Sequence, residues 1–128
     1  MIKVVFVEDN DDIRDIARLS FDLSGIFEVQ EFSSGAECLA QSSGLAPDIF
    51  LLDVMMPGMS GPDLLVALRA IDRFSSVPVV FLTARANQDE LADLYSLGVS
   101  DVITKPFDPR SLCERVETAA RGAFVREK

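Results

Sequence analysis

The chain has 128 residues, enough for one domain with a buried core. Hydrophobic residues make up 48% of it, which excludes a disordered chain, and no apolar run reaches membrane-spanning length. Twelve basic against 21 acidic residues give a formal charge of −9, a surface that repels DNA, and the lack of histidine removes the commonest general base and metal ligand and any phosphohistidine.

The N-terminal stretch through Glu8 has one lysine, a very short apolar run and no small-residue cleavage site, unlike a signal peptide. A soluble cytoplasmic protein without a membrane partner is expected. Ile2–Val7 is apolar but for Lys3, the pattern of a strand buried on both faces. Asp11 and Asp12 then precede Ile13, Ile16, Ala17 and Ser20 at one-face helical spacing, with Gly25 as the expected C-terminal cap. Phe27–Phe32 alternates and reads as an edge strand. The run Ser34-Gly35-Ala36-Glu37 has the capping-box pattern and opens a second helix.

The third strand is expected at Asp48–Leu52, and a third helix at Gly61–Ile71 with Leu64, Leu65, Leu68 and Ile71 at helical spacing. Val77–Leu82 reads as the fourth strand, Asn87–Leu97 as a helix ending at Gly98, and Ser100–Thr104 as the fifth strand. Asp108-Pro109 supplies an N-cap and first turn for a last helix, with Leu112, Val116 and Ala119 or Ala120 facing inward. Cys38 and Cys113 fall inside helical patterns and read as ordinary thiols. Strict strand–helix alternation implies a doubly wound α/β fold, with parallel strands, right-handed crossovers and helices on both faces.

In such sheets ligands bind beyond the carboxyl ends of the strands. Glu8 and Asp9 stand there after the first strand, Asp53 after the third, Thr83 and Ala84 after the fourth, Lys105 and Pro106 after the fifth. Two unit charges about 4 Å apart repel by roughly 4 kcal/mol at an effective dielectric of about 20, so three converging carboxylates would protonate one member or bind a cation. An open, hard oxygen site with few protein ligands suits Mg²⁺, with Mn²⁺ as an alternative, better than a dedicated Ca²⁺ cage. Asp53 is a carboxylate that can attack phosphorus, Lys105 can neutralise phosphoryl oxygens, and the Thr83 hydroxyl can donate to one of them. Taken singly, each has an ordinary reading: a solvated acidic loop, a turn aspartate, a strand-end threonine, a surface lysine. Those readings do not require all of them at one sheet edge.

The runs Val7-Glu8-Asp9-Asn10, Leu51-Leu52-Asp53-Val54-Met55-Met56-Pro57-Gly58-Met59-Ser60-Gly61, Phe81-Leu82-Thr83-Ala84 and Ile103-Thr104-Lys105-Pro106-Phe107 carry a resemblance to the receiver domain of two-component response regulators. Asp9 and Asp53 are 44 residues apart, Asp53 and Thr83 30, Thr83 and Lys105 22, and four pieces in order at these spacings are specific. The resemblance implies a flavodoxin-like (βα)5 three-layer sandwich with strand order 2-1-3-4-5. Asp53 would be the phosphoacceptor. Asp9, Asp53 and the Met55 backbone carbonyl would bind Mg²⁺ directly and Glu8 would do so through water. Thr83 would be the switch hydroxyl, Lys105 would pair with the phosphoryl group, and the Lys105–Pro106 bond would be cis. Val102 stands where many receivers carry an aromatic residue three positions before the lysine. Met55 and Arg85 would line the path of the water that hydrolyses the phosphoryl group.

The implied donor is a sensor histidine kinase or histidine phosphotransfer protein, or a small acyl phosphate. The downstream partner would use the face made by the fourth helix, fifth strand and fifth helix, and the domain would be a monomer or a phosphorylation-dependent homodimer. Such a domain catalyses only its own phosphorylation and dephosphorylation, and is not an enzyme in the usual sense. Residues 1–122 would form the receiver and 123–128 a tail or the start of a linker, of a stand-alone receiver or of a longer protein. The alternative is a non-phosphorylated interaction module of the same fold. A haloacid dehalogenase-like phosphatase needs an acid where Met55 stands, and a flavin or nucleotide site needs a phosphate loop where Glu8 and Asp9 stand.

Overall fold

A computed structural model describes residues 1–85 and 87–122; the expected tail, 123–128, lies outside the described residues. Five strands, β1 (Ile2–Val7), β2 (Phe27–Phe32), β3 (Ile49–Asp53), β4 (Val79–Thr83) and β5 (Asp101–Thr104), alternate with helices α1 (Asp11–Ser24), α2 (Gly35–Ala40), α3 (Gly61–Arg69), α4 (Gln88–Tyr95) and α5 (Pro109–Ala120). All strand pairs are parallel and the order is β2-β1-β3-β4-β5, the doubly wound flavodoxin-like arrangement.

Strand side chains alternate between faces, so each face carries its own core. Val5, Val7, Phe50, Leu52 and Phe81 pack against Leu64, Leu65 and Leu68 of α3 and Leu94 of α4. Val4, Phe6, Ile49, Leu51, Val80, Leu82 and Ile103 pack against Ala17 and Phe21 of α1 and Leu112, Val116 and Ala119 of α5. The result is a three-layer sandwich in which β3 and β4 are buried along their whole length.

Element ends differ from the sequence reading for local reasons. β3 begins one residue later because the Asp48 carboxylate accepts from the Lys3 backbone N–H at 2.8 Å. β4 begins after Pro78, which has no N–H for the ladder but whose carbonyl accepts from Phe50 N–H at 2.9 Å. The capping box expected at Ser34 is half formed: Ser34 caps the Glu37 N–H at 3.1 Å, but the Glu37 carboxylate accepts from Ser33 rather than from Ser34. A complete box forms instead at α3, between Ser60 and Asp63.

The buried face of α1 is also turned from the expected one. Phe21 inserts beside Phe6 and Phe27, with ring centroids 6.5 and 4.8 Å away in edge-on geometry. Seating that ring buries Ala17 and leaves Ile16, Leu19 and Leu23 exposed, on the side of α1 that faces α5.

The helix that follows the third strand packs close to its carboxyl end. The Gly61 N–H donates to the Val54 carbonyl at 2.9 Å, and a Cβ on Gly61 would fall 2.5 Å from the Asp53 backbone oxygen. Gly61→Ala must therefore push α3 away from the end of β3. The substitution is expected to lower the unfolding free energy by about 1–3 kcal/mol, seen as a lower urea midpoint with unchanged slope. Gly44→Ala, where a Cβ meets open space, serves as the control.

Candidate functional site

The parallel pairing aligns the carboxyl ends of β1, β3, β4 and β5 on one rim, and every candidate side chain lies there. Glu8 and Asp9 follow β1, Asp53 closes β3, Thr83 closes β4, and Lys105 follows β5. Glu8, Asp53 and Thr83 are buried, Asp9 is exposed, and Lys105 is half-buried. The Lys105 Nζ lies 2.9 Å from Asp53 Oδ1 and 3.0 Å from Glu8 Oε1, so one ammonium joins strands one, three and five. Backbone bonds hold the rim in register: Val54 N–H donates to the Leu82 carbonyl at 2.9 Å and Lys105 N–H to the Thr83 carbonyl at 2.8 Å. The Lys105–Pro106 peptide is cis.

Glu8, Asp9 and Asp53 each offer a carboxylate oxygen within 4.8 Å of the others. Burial pushes the Asp53 carboxyl up to about 7; Lys105 opposes this, while Glu8 and Asp9 add to it. Burial pulls the Lys105 ammonium down, but the Asp53 and Glu8 carboxylates outweigh it and leave the lysine more basic than usual. Three carboxylates against one lysine leave the rim short of positive charge, and Glu8 Oε1 has no hydrogen-bond donor besides that ion pair. The donor set is all oxygen, carboxylate-rich and open at Asp9, which fits a hard divalent cation.

Further bonds at the rim were not evident from the sequence. Asn10 caps α1 by accepting from Ile13 N–H at 3.0 Å, and its own N–H donates to Glu8 Oε2 at 3.1 Å. The Arg14 guanidinium donates to the Glu8 carbonyl at 2.8 Å. The Thr83 hydroxyl oxygen accepts from Arg85 N–H at 3.0 Å, while the Arg85 side chain pairs with Glu90 at 2.8 Å. The second bond of Asn10, to Glu8, depends on how the loop folds back. Met55 is exposed just after β3. Cys38 and Cys113 are free, and burial raises both thiols, Cys38 to about 11, so neither is a reactive thiolate.

The family model of the response regulator receiver domain matches residues 4–117. The chain belongs to this family. The receiver domain here is 39% identical over 118 residues to the transcriptional regulatory protein CseB of Streptomyces coelicolor, covering 92% of this chain and 49% of that protein. It is 37% identical over 114 residues to hybrid signal transduction histidine kinase D of Dictyostelium discoideum, covering 88% of this chain and 7% of that protein. The chain thus spans about half, or far less, of the length of these relatives. Among solved structures it is similar to the chemotaxis response regulator CheY4 of Vibrio cholerae, at a TM-score of 0.85 and 27% identity over 93% of this chain and 98% of that one. A putative response regulator from Chloroflexus aurantiacus superposes at a TM-score of 0.86 and 28% identity, covering 94% and 98%.

Receiver domains are signalling domains rather than enzymes with a released product, and they pair with histidine kinases and phosphotransfer proteins. They bind Mg²⁺ through acidic residues, and this receiver domain holds such a cluster in Glu8, Asp9 and Asp53. Among the described residues no helix is long and apolar enough to cross a membrane.

The raised Asp53 pKa has a stability consequence in metal-free buffer. Between about pH 4 and pH 7 the folded chain keeps a proton on Asp53 that the unfolded chain has released. Raising the pH through this window therefore favours unfolding. Urea unfolding in EDTA is expected to show a stability loss across that window that is absent in Asp53→Asn, where no proton is taken up. Equal pH slopes for the two proteins would contradict this assignment.

Proposed function

We propose that this receiver domain accepts a phosphoryl group on Asp53 in a Mg²⁺-dependent reaction and signals by changing conformation. One observation carries the reading: a single ammonium, that of Lys105, contacts both Asp53 at 2.9 Å and Glu8 at 3.0 Å beside the exposed Asp9 carboxylate. Buried like charges of this kind destabilise a fold and are kept where they serve chemistry.

An Asp53 oxygen would attack phosphorus as the donor's bond to phosphorus breaks, leaving an acyl phosphate on the side chain and returning the electron pair to the donor. Asp9, Asp53 and the Met55 backbone carbonyl would hold Mg²⁺, or Mn²⁺, with Glu8 reaching it through water. When bound, the cation would supply charge neutralisation for the incoming phosphoryl oxygens and favour the ionised form of Asp53. Lys105 would follow the negative charge from the carboxylate to the phosphoryl group, since its flexible stem allows a short displacement. The Thr83 hydroxyl, which in this state accepts from Arg85, would turn to donate to a phosphoryl oxygen.

The donor on this reading is a sensor histidine kinase or a histidine phosphotransfer protein. The output passes through the face of α4, β5 and α5, with the domain as a monomer or as a phosphorylation-dependent dimer. The chain would catalyse only its own phosphorylation and hydrolysis, in the cytoplasm, with no direct role for nucleic acid. Residues 1–122 would form the domain.

Incubation with Mg²⁺ and acetyl phosphate is expected to give a phosphoryl adduct by intact mass, absent in Asp53→Asn and when Mg²⁺ is chelated. No adduct from any phosphodonor would leave the non-phosphorylated interaction module standing instead. The Met55 side chain is exposed and the Arg85 guanidinium is anchored to Glu90, and both would flank the path of an attacking water. Met55→Asn and Arg85→Ala are expected to change the half-life of the adduct, followed by mass after the donor is removed. Unchanged half-lives in both would discard their role.

A further inference from the structure

The eight residues of α4 are more loosely anchored than the neighbouring helices α3 and α5, with Leu91 and Tyr95 only partly buried against the core. Its one buried side chain is Leu94, whereas α3 buries Leu64, Leu65 and Leu68 and α5 buries Leu112, Val116 and Ala119. Elements with little apolar burial open and shift at low free-energy cost. Polar side chains tether α4 at both ends instead.

At its start, Glu90 pairs with the Arg85 guanidinium at 2.8 Å, and the backbone N–H of the same arginine donates to Thr83 Oγ1 at 3.0 Å. At its end, the Tyr95 hydroxyl donates to Asp101 Oδ1 at 2.9 Å and accepts from Val102 N–H at 3.2 Å. Asp101 is itself a buried carboxylate in β5. Arg115 of α5 clamps it with two bonds, Nε to Oδ2 at 2.8 Å and Nη2 to Oδ1 at 2.6 Å, and reaches the Val102 carbonyl at 3.0 Å. One phenol oxygen therefore links α4 to β5, and through Asp101 to α5. The side chain of Val102 offers no polar atom that could do so.

We propose that Tyr95 is the positioning residue that passes the state of Thr83 to Asp101 and Arg115, with α4 acting as a lever between two polar tethers. The inference rests on the reading of Asp53 as phosphoacceptor. When the Thr83 hydroxyl turns to a phosphoryl oxygen, the Arg85 backbone loses its acceptor. The Arg85–Glu90 pair then carries the shift of that loop to the start of α4, and Tyr95 moves with the helix. The Asp101 carboxylate gives up or reorients one of its donors, and Arg115, which is partly exposed, changes what α5 shows to a partner. A buried hydrogen-bonded network of this kind has discrete arrangements, since an unpaired Asp101 is costly.

The test uses the full chain, ¹⁵N-labelled, with Mg²⁺ and excess acetyl phosphate. Intact mass reports the adduct, and NMR reports the Val102 amide and the Arg115 Nε–Hε resonances. In the wild type both resonances are expected to shift as the adduct forms. Tyr95→Phe keeps the ring and removes only the hydroxyl. It is expected to form the adduct to the same extent, to keep the shifts of the Glu90 and Leu91 amides, and to lose those of Val102 and Arg115. Glu90→Gln is expected to form the adduct and lose all four. A merely structural role for Tyr95 would lower stability without uncoupling these responses. Equal shifts at Val102 and Arg115 in Tyr95→Phe and wild type would overturn the proposal, as would a wild-type adduct that leaves them unmoved. A wild type that forms no adduct would overturn the reading of Asp53 and this inference with it.

Discussion

The rim of this domain depends on one lysine holding two carboxylates that the fold has taken out of water. Asp53 is buried because it closes a strand buried along its whole length, and Glu8 because it directly follows a strand buried at every position but Lys3. Isolated in that environment, each would cost several kcal/mol as an ion. Lys105 lowers this cost by contacting both, and its half-buried position leaves the ammonium able to move. The charge balance is still negative, and that shortage fits the rim to a hard divalent cation.

The strength of the arrangement lies in where the chain can bend. Neighbouring loops are fixed by backbone bonds and caps: Gly61 against Val54, Asn10 against Glu8, Ser60 against Asp63. These hold the carboxylates still. By contrast, the segment after Thr83 leads into a helix with a single buried side chain. A rigid floor and a loosely held wall are the physical division that a switch needs, because strain at the floor can be relieved only at the wall.

Much of this was legible in the sequence. Apolar strands alternating with capped helices fixed the parallel sheet, and that in turn placed Glu8, Asp9, Asp53, Thr83 and Lys105 on one edge without any knowledge of distance. Side-chain periodicity was less informative for α1, which carries two apolar stripes. It could not say that Phe21 would win the interior and that Ile16 would be left outside, because the deciding partners, Phe6 and Phe27, come from two other elements. The Tyr95–Asp101–Arg115 cluster was invisible for the same reason. Its members sit on three elements, and nothing in their spacing marks them as neighbours. The capping difference at Ser34 is a choice between two adjacent N–H groups, those of Ser33 and Ser34, and the Glu37 carboxylate accepts from Ser33.

The strand order also bears on how the domain is made. A ribosome delivers β1 first and β5 last, so Glu8 and Asp53 emerge well before Lys105 does. Until the fifth strand pairs with the fourth, the partly folded chain has no ammonium beside either carboxylate, and Glu8 has only the Asn10 N–H. Those two side chains must stay hydrated or hold protons, and the carboxyl end of β3 cannot close over them. The sheet can therefore be completed only when its final strand docks, and the same event that finishes the fold assembles the charge pattern of the rim.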